Sequence, residues 1–84
     1  MKFAVIYHTQ NEVAKNRVHQ AIEQYPNFTH PFDGLWLIDC DGDPLGISEY
    51  LSESIGSSGS LLVFELNVEW ATINANMVKD WLNK

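Results

Sequence analysis

The amino-acid sequence predicts an α+β fold: a four-stranded antiparallel sheet with two helices on one face. Three observations carry this. Short apolar runs at residues 3–7, 35–38 and 61–66 are bounded by turn residues and are too brief for buried helices, so they read as strands. Residues 12–25 and 44–55 repeat their apolar positions at helical spacing. The segment His30-Pro31-Phe32-Asp33-Gly34-Leu35-Trp36-Leu37-Ile38-Asp39 joins a proline, a turn pair and a compact apolar run, which places a hairpin between the two helices.

Taken in order, Phe3-Ala4-Val5-Ile6-Tyr7 is a nearly continuous apolar run, as expected of a central strand. Thr9, Gln10 and Asn11 supply turn and capping chemistry before the first helix. Ala14, Val18, Ala21, Ile22 and Tyr25 form its inward stripe, while Glu12, Lys15, Asn16, His19, Gln20 and Glu23 are expected on the outward side. Pro26 ends that helix, because it cannot donate to the ladder and it disfavours helical angles in the residue before it. Residues 28–32 form a short strand that Pro31 confines to an edge, followed by an Asp33-Gly34 turn and the strand 35–38. Asp43-Pro44 reads as an N-cap with proline at the first helical position, Ile47, Leu51 and Ile55 as the buried stripe, and Gly56 as the stop. A last strand covers 61–66, and Met77, Val78, Trp81 and Leu82 suggest a short C-terminal helical tail. The order β-α-β-β-α-β with that tail is ferredoxin-like, and residues 1–84 make a single domain.

An 84-residue chain that is 45% hydrophobic, with three Trp, four Phe and three Tyr, can build a core and is not disordered. At this length a chain buries only ~60% of the surface its unfolded form exposes, so a second copy is a natural supplement. Eleven acids against five bases give a formal charge of −6. The bases Lys2, Lys15, Arg17, Lys79 and Lys84 are scattered, so direct nucleic-acid binding has weak support, since it relies on clustered Lys and Arg to displace counterions. Cys40 is alone and forms no internal disulfide, which suits a reducing compartment. Neither a signal-peptide pattern nor a run of ~20 apolar residues is present, so a cytoplasmic protein without membrane association is expected.

Several constellations have plain structural readings. Asp39-Cys40-Asp41-Gly42-Asp43 has acids at the first, third and fifth places of a calcium loop, but Pro44 takes the sixth place and Tyr50 the twelfth, so a turn with a helix cap is expected. His8, His19 and His30 fall on a strand end, a helix exterior and a hairpin arm, with no ligand spacing among them. Gly56-Ser57-Ser58-Gly59-Ser60 lacks the Lys and the strand-before-helix order of a phosphate loop and is a connector. No nucleophile motif is present. Trp36, Trp70 and Trp81 have Asp33, Asp39, Glu69 and Asp80 nearby, so they suit a core or an interaction seam better than base stacking.

Lys2-Phe3-Ala4-Val5-Ile6-Tyr7, the 30–38 hairpin, Leu61-Leu62-Val63-Phe64-Glu65-Leu66, Trp70 and Trp81-Leu82 occur in an order that resembles the SinR-type branch of the CRISPR spacer-integration small-subunit superfamily, related to VapD-type proteins. The likeness spans nearly the whole chain and rests on short hydrophobic motifs. It implies a ferredoxin-like homodimer of prokaryotic or mobile-element origin. Relatives are either metal-dependent nucleases or non-catalytic dimeric scaffolds. The superfamily usually has Tyr-Asp where this chain has Tyr7-His8. Magnesium prefers oxygen ligands and imidazole suits softer metals, so a magnesium site is poorly supported and His8 is only a candidate ligand for zinc or nickel.

Three functional readings follow, in order of preference. The first is a homodimeric structural or interaction module without an effective nuclease site, with no cofactor and with a protein partner. The second is a weak, toxin-like ribonuclease using a divalent metal, with His8 acting beside Tyr7 or Asp39. The third is an acidic inhibitor from a phage or mobile element, presenting Asp39, Asp41, Asp43, Glu49 and Glu53 in place of nucleic-acid phosphates. Glu49 and Glu53 are four apart on the second helix and share a face.

Overall fold

The computed structural model describes residues 1–66 and 80–83. Strand β1 (Lys2–Thr9) leads to helix α1 (Glu12–Ile22), then the hairpin β2 (Asn27–Phe32) and β3 (Leu35–Asp39). Helix α2 (Pro44–Ile55), a single 3-10 turn at Gly56–Ser58 and strand β4 (Gly59–Glu65) follow, and residues 80–82 are helical. The strands lie in the order β2-β3-β1-β4 with every neighbouring pair antiparallel, which is the ferredoxin-like arrangement. Pro31 does lie on an edge strand, where its missing N–H is harmless.

Alternation along β1 separates two faces. Phe3, Val5 and Tyr7 point to one side, with Trp36 and Ile38 of β3 beside them, and pack against Val18 and Ile22 of α1 and Ile47, Leu51 and Ile55 of α2. Of these, Phe3, Val5, Ile38, Val18, Ile22 and Leu51 are wholly buried. Ala4 and Leu37, opposite each other on the other face, are covered by Leu35, Leu66, Trp81 and Leu82. The C-terminal residues are held there by the Lys2 ammonium, which donates to the Leu82 carbonyl at 3.1 Å and lies 5.7 Å from the centre of the Trp81 ring.

Local chemistry explains the helix ends. Asn11 caps α1 by accepting from the Val13 and Ala14 amides at 2.9 and 3.1 Å, and Asp43 caps α2 by accepting from Gly46 at 2.7 Å. The first helix stops at Ile22, earlier than the spacing predicts. Gln24 and Tyr25 donate to Ala21 and Ile22 in a tightened turn, because Pro26 keeps the preceding residue out of helical geometry. Tyr25 still packs against the core. Strand β4 also begins earlier than expected: Gly59 and Ser60 are opposite Thr9 and His8 rather than in a connector. At Gly59 a side chain would overlap the His8 carbonyl, so only glycine lets β4 close on β1 there.

Leu51→Ala should lower stability by ~2–5 kcal/mol in urea titration, as expected for a fully buried leucine. Leu45→Ala, at a position 68% exposed, should stay within ~0.5 kcal/mol of the parent.

Candidate functional site

Two features stand out around the sheet. The first is a polar and aromatic cluster where the flank of α1 meets the β2–β3 hairpin. Lys15 and His19, four apart and each one residue after the buried stripe positions Ala14 and Val18, project over that hairpin. The Lys15 ammonium lies 3.3 Å from the Asp33 carboxylate, and that partner raises the Lys15 pKa. The His19 ring lies 5.6, 5.3 and 5.2 Å from the rings of Tyr7, His30 and Trp36, edge-on to each. His30 in turn stacks flat on Trp36 at 4.1 Å.

The Tyr7 hydroxyl and His19 Nε2 form a hydrogen bond. Burial raises the Tyr7 pKa and lowers that of His19, aided by the charges of His30 and Lys15. Both shifts favour a protonated phenol and a neutral imidazole, and in the tautomer with its proton on Nδ1 the His19 ring accepts from the Tyr7 O–H through Nε2. The buried Trp36 indole N–H has no hydrogen-bond partner among the described residues. It is near enough to the Tyr7 oxygen to oppose the rise in that pKa, but the contact falls short of hydrogen-bond geometry. Beside the cluster a cavity of about 110 Å³ is lined by Tyr7, His8, Thr9, Lys15, Asp33 and Gly34. Gly34 has φ +79° and accepts from the Tyr7 amide at 2.9 Å, which ties the hairpin turn to β1.

The sequence places His19 on the helix exterior and leaves the histidines apart. The structure instead brings His19 and His30 together at half-buried and exposed positions, and leaves His8 exposed on the opposite face of β1. His8 is opposite Ser60, whereas Asp39 is opposite Lys2, six residues further back along β1. At ~3.4 Å per residue the two are roughly 20 Å apart, so one chain does not assemble His8 and Asp39 into a site. Among the described residues no group of three or more His, Cys, Asp or Glu side chains is placed to hold a metal ion.

Other expected residues have structural work. Asp39 receives the Met1 amine at 3.1 Å, and Asp43 is the α2 cap. Asp41, Glu49 and Glu53 are exposed. Trp36 is 5% exposed and belongs to the core, which removes it from the surface residues of an interaction seam. Trp81 packs on the chain's own sheet, and Trp70 lies outside the described residues. Burial raises the Cys40 pKa, so its thiol is not an activated nucleophile.

The second feature is the face of the sheet opposite α1 and α2. Phe32, Leu35, Ile6 and Leu62 are successive register partners across β2, β3, β1 and β4 and form one apolar row across the sheet. A bulge produces it: between Thr29 and Phe32 the edge strand carries one residue more than β3 does between Leu37 and Leu35. That extra residue keeps His30 over Trp36 and sends Phe32 to the other face. Phe32, Ile6 and Leu62 are 57, 40 and 56% exposed, and Phe64 beside them is 52% exposed. A shallow cavity of about 100 Å³ lies along Ile6, Ser60 and Leu62.

Comparison of the chain with family models, curated proteins and solved structures finds no match in any of the three.

Tyr7→Phe should lower stability by about 1 kcal/mol in urea titration, through loss of the hydrogen bond to His19. A separate test concerns Tyr25, edge-on to Tyr50 at 5.8 Å, whose pKa burial pushes up to about 12. The folded state then holds this proton longer than the unfolded chain, whose tyrosine titrates near ~10, so stability should fall as pH rises from 10 toward 12. Unfolding midpoints measured across that range should fall less steeply in Tyr25→Phe.

Proposed function

We propose that the protein is a dimeric, non-catalytic interaction module whose two copies meet through the faces of their sheets opposite α1 and α2. The observation that carries this reading is the apolar row Phe32, Leu35, Ile6 and Leu62, extended by Phe64, of which Phe32, Ile6, Leu62 and Phe64 are exposed on one chain. Solvated faces of antiparallel sheets normally alternate to polar residues. A contiguous apolar patch of this kind marks a surface that is covered in use. A second copy fits because the row lacks charge and lies next to the two-residue core of Ala4 and Leu37, which the chain's own C-terminal residues already cover. Such a row can face its own image across a two-fold axis. The resemblance of the motif order to SinR-type proteins points to the same assembly.

Specific interfaces bury ~800 Å² per partner, so the apolar row would form the centre and polar residues such as Thr29, His8 and Ser60 the rim. Each copy carries a formal charge of −6, and like charges repel less when screened. Association should therefore strengthen with added salt. The non-catalytic part of the reading is supported by the separation of His8 from Asp39 along β1. No described helix is long and apolar enough to cross a membrane.

Light scattering should give twice the 9.6 kDa mass of one chain, and Leu62→Asp or Phe64→Asp should give one chain's mass with an unchanged far-ultraviolet spectrum. A parent protein that stays a monomer at its highest soluble concentration ends the dimer reading. Cleavage of labelled RNA in a panel of divalent metals, abolished by His8→Ala, would overturn the non-catalytic one.

A further inference from the structure

We propose that His19 and His30 form a proton-sensitive clasp between α1 and the β2–β3 hairpin, closed while His19 is neutral and loosened when His19 is protonated. The inference stands on the hydrogen-bond inventory around one oxygen. In the Nδ1–H tautomer of neutral His19, the Tyr7 hydroxyl gives its hydrogen to Nε2, the acceptor in the pair. The Trp36 indole N–H beside it is a buried donor without a hydrogen-bond partner among the described residues. A proton on His19 Nε2 turns the acceptor into a donor. The Tyr7 O–H then loses its acceptor in a place that already has one donor too many, and an unsatisfied buried donor is destabilising.

Charge acts in the same direction. His19 is walled by the rings of Tyr7, His30 and Trp36, so a charge there is poorly hydrated. From β2 the exposed His30 adds a like charge when protonated, and from α1 itself Lys15 adds another. Glu23 on the last turn of α1 and Asp33 in the hairpin turn pull the other way. Asp33 is already paired with Lys15 at 3.3 Å, and Glu23 is exposed at the helix cap. Burial and the like charges outweigh these two acids, and the His19 pKa falls below its ordinary value of 6.5.

The sign follows from linkage. In the window below 6.5 and above the folded value, a chain with α1 opened binds more protons than the closed one, so closure is strongest above pH 6.5 and weakens as pH falls. One histidine can raise the opening constant by up to ~tenfold for each unit of that window.

Amide hydrogen exchange of residues 18–22, corrected for intrinsic rates, tests this at pH 7.5 and 5.5 (about one unit to each side of the free imidazole). In the parent the opening constant should rise several-fold toward ~tenfold on acidification. His8→Gln, altered on the far face, should behave like the parent. His19→Gln keeps a side-chain acceptor for Tyr7 and should lose the rise. His30→Phe keeps a ring on Trp36 without the second charge and should shift the His19 ring titration, followed by NMR, to higher pH. A parent with equal protection at both pH values overturns the clasp. So does a rise that persists in His19→Gln, or, should that variant not fold, a His19 titration unmoved in His30→Phe.

Discussion

Strand β1 is the constraint on which the other features depend. It is paired on both sides, by β3 and by β4, and its alternation assigns every neighbour to a face. Phe3, Val5 and Tyr7 go to the helices, and Ala4, Ile6 and His8 to the opposite side. A slip of one residue would exchange these sets and bury His8 under the helices. Two local devices hold the register. Gly34 receives the Tyr7 amide at the hairpin turn, and Gly59 admits the close approach of β4 at His8.

Given that register, the edge strand divides its chemistry between the two faces. One additional residue between Thr29 and Phe32, in a stretch where Pro31 has no N–H to offer a neighbour, resets the alternation. His30 stays on the helical side and stacks on Trp36, while Phe32 completes the apolar row on the other. The irregularity of β2 therefore separates Phe32 from His30, which alternation alone would place on one side. The polar cluster and the apolar row lie on opposite sides of the sheet.

The acidic character of the chain is distributed differently. Among its described carboxylates Asp43 caps α2, Asp33 and Asp39 pair with Lys15 and the Met1 amine, and Glu49 and Glu53 on α2 stand in water. None is assembled with histidine or cysteine into a group of three around a common point among the described residues. The chemistry held in a partly dry environment belongs to neutral groups: a phenol, an imidazole and an indole N–H. In low-dielectric surroundings such groups respond to a single added proton more sharply than exposed carboxylates do.

Element order, helix caps and the buried stripes were legible in the sequence because each is local. Asn11 and Asp43 cap within three residues, and Ala14, Val18 and Ile22 or Ile47, Leu51 and Ile55 recur at helical spacing. The hairpin was legible for the same reason, from Asp33-Gly34 and the run after it. The meeting of His19 with His30, Tyr7 and Trp36 was not, because those residues come from four elements and are joined only when α1 folds back across the sheet. The position of Lys15 and His19 one residue after stripe positions was the available signal, and a helical projection alone treats such flanking positions as solvent-facing. The apolar row was hidden by the bulge, since strict alternation along β2 puts Phe32 on the helical side. Periodicity therefore determined the elements and their inward faces, and only tertiary structure decided which flanks and edges converge, because strand register and helix placement depend on contacts far apart in the chain.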